Sequence, residues 1–161
     1  MTSLLSRKGP LGLVANIVFA VGLACLGNGI IFFFGWDGEA PDQLVPSFQP
    51  AGWVIGAVWT GLFATMGAAR WAALRDGTSE GRRKGRLVTG LILACFAYPY
   101  YTLGLRSVEI GLIGSLATML AAAFIAWRLM EQSRLAAMLV LPTALWCAFA
   151  SVLLIRTLQI N

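Results

Sequence analysis

The sequence predicts an all-α integral membrane protein, a single domain over residues 1–161 that crosses the bilayer five times. Three observations carry that reading. Hydrophobic residues make up 58% of the chain and charged residues only 12%, where a soluble domain carries roughly 25% charged. Mean hydropathy is +0.78, more apolar surface than a small globule can hide from water. The charges that are present flank apolar segments instead of interrupting them.

A spanning helix needs about 20 mainly apolar residues, and five segments qualify. The first runs from about Leu11 to Gly35. Its apolar run is too long for a cleaved signal peptide, and no small-x-small site closes it, so it is read as a retained helix. The second covers about Ala51 to Leu74, the third Leu87 to Leu105, the fourth Ile110 to Trp127 and the fifth Leu135 to Thr157. Strict alternation is missing, and the Ala, Leu and Gly content suits helices over strands.

The connections differ in chemistry. Residues 36–50 form the longest, with Asp37, Glu39, Asp42, three prolines and no Lys or Arg. Arg75 to Arg86 reads as a polar, strongly basic loop, and Arg106 to Glu109 as a tight solvated turn. With five crossings, one face receives Arg7, Lys8, Arg75, Arg82, Arg83, Lys84, Arg86, Arg128 and Arg134, and the other only Arg106 and Arg156. Nine against two predicts a cytoplasmic N-terminus and an outer acidic loop. The expected address is a bacterial cell membrane. Contact of the basic loop with anionic lipid is open, although its topogenic role alone explains the charge.

Composition also excludes chemistry. The net charge of +5 comes without the aromatic-plus-basic stripe of a nucleic-acid binder. Histidine is absent, which removes the commonest metal ligand, haem ligand and general base. It also excludes Ser-His-Asp and Cys-His arrangements. Cys25, Cys95 and Cys147 each fall within an apolar segment without metal-type spacing, and read as small buried side chains. No Asp, Glu or Lys lies mid-span, which argues against proton relays and ion-coupled transport.

Three helical faces carry candidate function. On the second helix Gly52, Gly56, Trp59, Phe63 and Gly67 share an arc, a surface with recesses and walls. Close helix packing and a pocket both fit it. On the fifth, Pro142, Trp146, Phe149, Leu153 and Arg156 share a face, with Arg156 about 15 Å from Trp146 along the axis. That arginine either snorkels to the interface or holds an anionic group at a pocket mouth. On the third, Leu91, Cys95, Tyr98 and Thr102 align, Pro99 is expected to bend the helix, and Tyr98, Tyr100 and Tyr101 crowd it. An interfacial aromatic belt explains the tyrosines equally well.

These residues carry a resemblance. Ser47 to Trp71, SFQPAGWVIGAVWTGLFATMGAARW, resembles the second-helix region of the tryptophan-rich sensory protein family, TspO, whose animal members are the translocator proteins. The matching residues are Pro50, Trp53, Trp59, Met66 and Gly67. The fifth helix is similar through Pro142, Trp146, Phe149 and Ala150, and the third keeps the spacing of Thr89, Gly90, Pro99, Gly104 and Arg106. The register runs nearly without gaps from Pro46 to Asn161, while the first helix matches only in length and glycine content. Departures fall at Leu91, Cys95, Phe96 and Tyr98, where the family's third helix carries Gln, Asn and two Trp, at Phe48, where it has Trp, and at Thr143, where it has Tyr. Leu154 and Ile155 replace the Tyr and basic residue of the motif proposed for cholesterol in the animal proteins.

The resemblance implies a five-helix bundle of TspO type, with a ligand pocket in the outer half closed by the loop 36–50. Family ligands are tetrapyrroles, sterols and flat aromatic molecules. Trp53, Trp59, Tyr98 and Trp146 would stack on such a molecule. Ile55, Gly56, Val58, Ala150 and Leu153 are carried over as lining, with Phe63, Phe149 and Arg156 beside them. No cofactor is expected as obligatory, a bound tetrapyrrole being the one the family allows. The expected partners are a hydrophobic small molecule, the bilayer and a second copy of the chain, paired through Gly90 and Ala94. A binding protein, sensor or transporter is the first expectation. A membrane enzyme degrading or isomerising such a ligand, and an assembly partner in a membrane complex, are the rivals.

Overall fold

The structure, a computed structural model, describes residues 4–36 and 44–161. Asp37, Glu39 and Asp42 of the acidic loop lie outside them. A short 3₁₀ turn, Leu4–Ser6, precedes five helices: α1 (Pro10–Phe33), α2 (Gly52–Leu74), α3 (Ser79–Thr102), α4 (Val108–Met130) and α5 (Arg134–Ile160). Among the described residues there is no strand. By length and composition α1, α2, α4 and α5 can each cross a membrane.

Each helix start has a local cause. Pro10 opens α1, where its missing N–H is no loss. The hydroxyls of Thr78, Ser107 and Ser133 cap α3, α4 and α5 by accepting from the amides of Gly81, Ile110 and Ala136 at 2.9, 3.2 and 3.2 Å. The loop between α2 and α3 turns at Gly77, whose φ of 75° suits glycine.

The third helix departs from the expected 87–105. It begins at Ser79 and ends at Thr102, so most of the basic stretch read as a loop is helical. The cause is the Thr78 cap with Glu80 in the first turn, which favours a helix whatever the hydropathy of the residues that follow. From Leu87 on, its apolar part is about 24 Å long at 1.5 Å per residue. The charged turns therefore stand at the end of the bundle.

The central helix is α2, which packs against α1, α3 and α5, while α4 packs against α3 and α5. Small residues permit this closeness: Ala69, Ala73, Ala122, Ala136 and Ala137 are buried with Met66, Val88, Ile92 and Leu129. Without water, hydroxyls must find partners in the chain. Thr60, Thr89, Thr102, Thr118 and Thr157 each donate to the carbonyl four residues back, at 2.7–3.0 Å. Ser115 of α4 instead donates across to the Cys147 carbonyl of α5 at 2.9 Å, and Ser151 donates to Ser115 at 3.1 Å. Cys95 and Cys147 are buried as expected, but Cys25 is exposed on the outer face of α1. One helix in a small bundle turns only part of its surface inward, and an apolar run alone does not reveal which part.

Candidate functional site

The end of the bundle opposite the basic turns gathers aromatic rings from three helices. On α2, Trp59 meets Phe63 with ring centres 6.3 Å apart, and it meets Tyr98 of α3 at 6.2 Å. Tyr98 in turn lies 5.8 Å from Tyr101, and its hydroxyl donates to the Gly111 carbonyl of α4 at 3.1 Å. Gly114 makes room for these tyrosines, since a Cβ there would stand 3.0 Å from both rings. On α5, one turn of helix brings Trp146 within 5.4 Å of Phe149.

The two limbs of the first loop are fastened to different sides of this end. Trp36 stacks on Phe34 at 5.2 Å and meets Tyr100 edge-on at 6.0 Å, over the close of α3. On the return, the Leu44 amide and carbonyl pair with the Asn161 side chain, both bonds at 2.9 Å. Phe48 then meets Phe149 at 6.4 Å, and Pro46 is buried. The loop thus leaves over α3 and lands on α5.

The expected site residues separate into groups. Trp59, Phe63 and Tyr98 come together, as do Trp146 and Phe149. Phe63 is fully packed into the core at 3% exposure, so it backs Trp59 and leaves no free face. Ile55, Gly56, Val58, Ala150 and Leu153 are half-buried on α2 and α5, the surfaces that pack together. Trp53 is 76% exposed in the first turn of α2, away from the rings. Arg156 is also exposed and donates to Gln159 at 3.1 Å, the geometry of a snorkelling side chain.

Three polar residues of this bundle, Asn16, Asn28 and Arg70, escaped the sequence reading. Asn28 of α1 is half-buried beside Gly56, where a Cβ would lie 3.7 Å from its amide nitrogen. Its amide has no hydrogen-bond partner among the described residues. Arg70 of α2, nearer the basic end, donates to Thr89 of α3 at 2.8 Å and to the buried Asn16 of α1. The signal was available: polar side chains within an apolar span are costly and mark function or packing.

Among the described residues no group of three or more Cys, Asp or Glu could hold a metal ion. The arrangement offers stacking surfaces, the Asn28 amide and two fastened loop limbs, the ingredients of a binding site for an apolar molecule.

Comparison with known proteins agrees with this architecture. The human translocator protein is 34% identical over 113 residues, 67% of this chain and 66% of the human one. The sheep translocator protein is 31% identical over 121 residues, 72% of this chain and 70% of its own. The pig protein is 29% identical over 133 residues, 80% of this chain and 73% of its own. The match thus spans about two thirds of the length of the human relative, 66%. The sequence model of the TspO/MBR family matches residues 16–159, from the second turn of α1 to the last turn of α5, and the chain belongs to that family.

Proposed function

We propose that the protein binds a flat, largely apolar molecule of tetrapyrrole, sterol or isoprenoid type beneath the loop 36–50, as a sensor or carrier. Family membership supports a membrane ligand-binding or transport role. The observation that carries the finer reading is the ring set Trp59–Tyr98 and Trp146–Phe149 at the end where both loop limbs are tied down. Rings with exposed faces stack on planar ligands. Asn28 supplies one hydrogen-bonding group to orient such a ligand, in a site otherwise lined by rings and apolar side chains.

The test is quenching of tryptophan emission in the purified protein during titration with protoporphyrin IX and, separately, with a carotenoid. Saturable quenching is expected, and Trp146→Ala should weaken it about tenfold, a usual effect of losing one stacking ring. Unchanged affinity in that variant would remove Trp146 from the site. A wild-type protein with no saturable response to either would leave the rings as helix packing and favour the assembly-partner reading.

Pairing of two copies through α3 belongs to the same proposal. Gly90 and Ala94 are exposed, and a Cβ at Gly90 would meet nothing within 4 Å. A small, open stripe lets a second helix approach closely. Gly90→Leu is expected to shift the protein from dimer to monomer in size-exclusion chromatography with light scattering, and an unmoved mass would exclude that face. The bias of basic residues supports a cytoplasmic N-terminus. Protease digestion of an N-terminal tag in sealed vesicles of known sidedness tests it.

A further inference from the structure

We propose that the corner between α2 and α3 is a binding site for the phosphate of an anionic phospholipid. A recess of about 400 Å³ opens there, lined by Leu74, Ser79, Arg82 and Arg86. It lies at the basic end, away from the ring cluster, and is independent of the ligand reading above.

The charge balance of this corner is uneven. Glu80 faces Arg83 at 3.9 Å and Lys84 at 3.7 Å. Asp76 is engaged by the Thr78 amide at 2.9 Å, the Thr78 hydroxyl at 3.1 Å and the Gln132 side chain. The Thr78 amide is the chief reason its carboxyl is held below the ordinary carboxylate range. Neither carboxylate is within ion-pair distance of Arg82 or Arg86. Arg82 spends one N–H on the Gly77 carbonyl at 2.8 Å. Arg86 has no acceptor among the described residues. Two guanidinium groups one helical turn apart therefore border one recess without a counter-charge. Their planar forks suit phosphate oxygens, and Ser79, in the first turn of α3, adds a hydroxyl where the helix dipole is positive.

Depth identifies the occupant as lipid. Leu74 is the last residue of α2, and Arg86 immediately precedes the apolar run of α3. Trp71 with Arg75 at 5.7 Å and Trp127 with Arg128 at 6.0 Å stand near the same ends of their helices. Tryptophan and arginine together mark the headgroup level. Leu74 gives the recess an apolar wall for the lipid's glycerol and upper chain, which a free phosphate would not use.

The experiment is native mass spectrometry of the full chain in detergent, offered equal amounts of phosphatidylglycerol and phosphatidylcholine. The wild type should retain phosphatidylglycerol preferentially, and the preference should fall roughly fivefold for each arginine removed, in Arg82→Gln and Arg86→Gln. Arg83→Gln, whose partner is Glu80, should keep it. Equal retention of the two lipids by the wild type overturns the proposal, as does a preference that survives loss of both arginines. A fall of the same size in Arg83→Gln would reduce the effect to general charge and also overturn it. Displacement of the lipid by inorganic phosphate at constant ionic strength would assign the recess to a soluble anion and overturn the lipid assignment. Should the double variant misfold, thermal unfolding of the wild type decides: phosphatidylglycerol must raise its midpoint above that in phosphatidylcholine.

Discussion

Gly67→Val is expected to lower the stability of the bundle by about 3 kcal/mol, the upper part of the range for overpacking a tight core. A Cβ at Gly67 would stand 2.6 Å from the Asn16 carbonyl oxygen, and 3.0 Å from both the Asn16 carbonyl carbon and the Ile17 Cα. All three are backbone atoms of α1, so no rotamer change relieves the clash. Either α1 and α2 separate or one of them bends. Separation uncovers Ala20, Ala24 and Met66 together, because they share the buried surface between these helices. The control is Gly61→Ala, on the same helix, where a Cβ would meet nothing within 4 Å. That change should be neutral or stabilising by up to about 1 kcal/mol, the helix-propensity difference. Folded fraction against SDS mole fraction, read by circular dichroism, checks both. Equal behaviour of the two variants would mean that α1 does not touch α2 at Gly67.

That contrast shows what the sequence alone left open. The arc of Gly52, Gly56 and Gly67 on α2 fitted both a packing face and a pocket. In the structure the arc divides along the helix: Gly67 meets α1 backbone, Gly56 faces the Asn28 side chain at ordinary contact distance, and a Cβ at Gly52 would meet nothing within 4 Å. Periodicity places residues on one face but says nothing of how near the neighbouring helix comes at each level. Four spans were legible because hydropathy alone defines them. The start of α3 was not, because a run of arginines resembles a solvated loop and only the Thr78 cap reveals the helix.

The ring cluster was legible to a similar degree. Trp59 with Phe63 and Trp146 with Phe149 follow from helical spacing, and spacing does bring each pair together. The contact of Trp59 with Tyr98 joins two helices and needed the fold. Trp53 and Arg156 share faces with site residues yet lie beyond the ring cluster, since a face that points inward mid-helix is exposed near its ends. Arg70 was overlooked for a different reason. Counting charges by loop leaves a cation inside a helix without an address, although its cost there is the very reason to ask what it holds.

Asn16→Leu tests what it holds, and the expected loss of stability is about 2–4 kcal/mol. Asn16 is fully buried. Its amide nitrogen donates to the Gly12 carbonyl at 2.7 Å and to the Leu5 carbonyl at 3.0 Å, while its oxygen accepts from Arg70. Arg70 also donates to Thr89, whose hydroxyl donates to the Gly85 carbonyl at 2.8 Å. One amide thus joins the 3₁₀ turn, α1, α2 and α3, and it lets a guanidinium sit half-buried with no carboxylate among the described residues in ion-pair range. Leucine preserves the volume but takes one acceptor from Arg70 and the closer of two donors from the Leu5 carbonyl, which keeps the Arg70 N–H at 3.5 Å. Because Arg70 keeps some exposure, water replaces part of the loss, which holds the estimate below that for a sealed charge. Removing both ends should cost less than the sum, since Arg70→Met takes away the group that Asn16→Leu orphans. The four proteins of that cycle, unfolded in SDS, give the coupling directly. Strict additivity would mean that Asn16 and Arg70 stabilise the bundle separately. A positive coupling, with faster hydrogen exchange at residues 4–12 in each single variant, would make them the clasp that holds the chain's first turn against three helices.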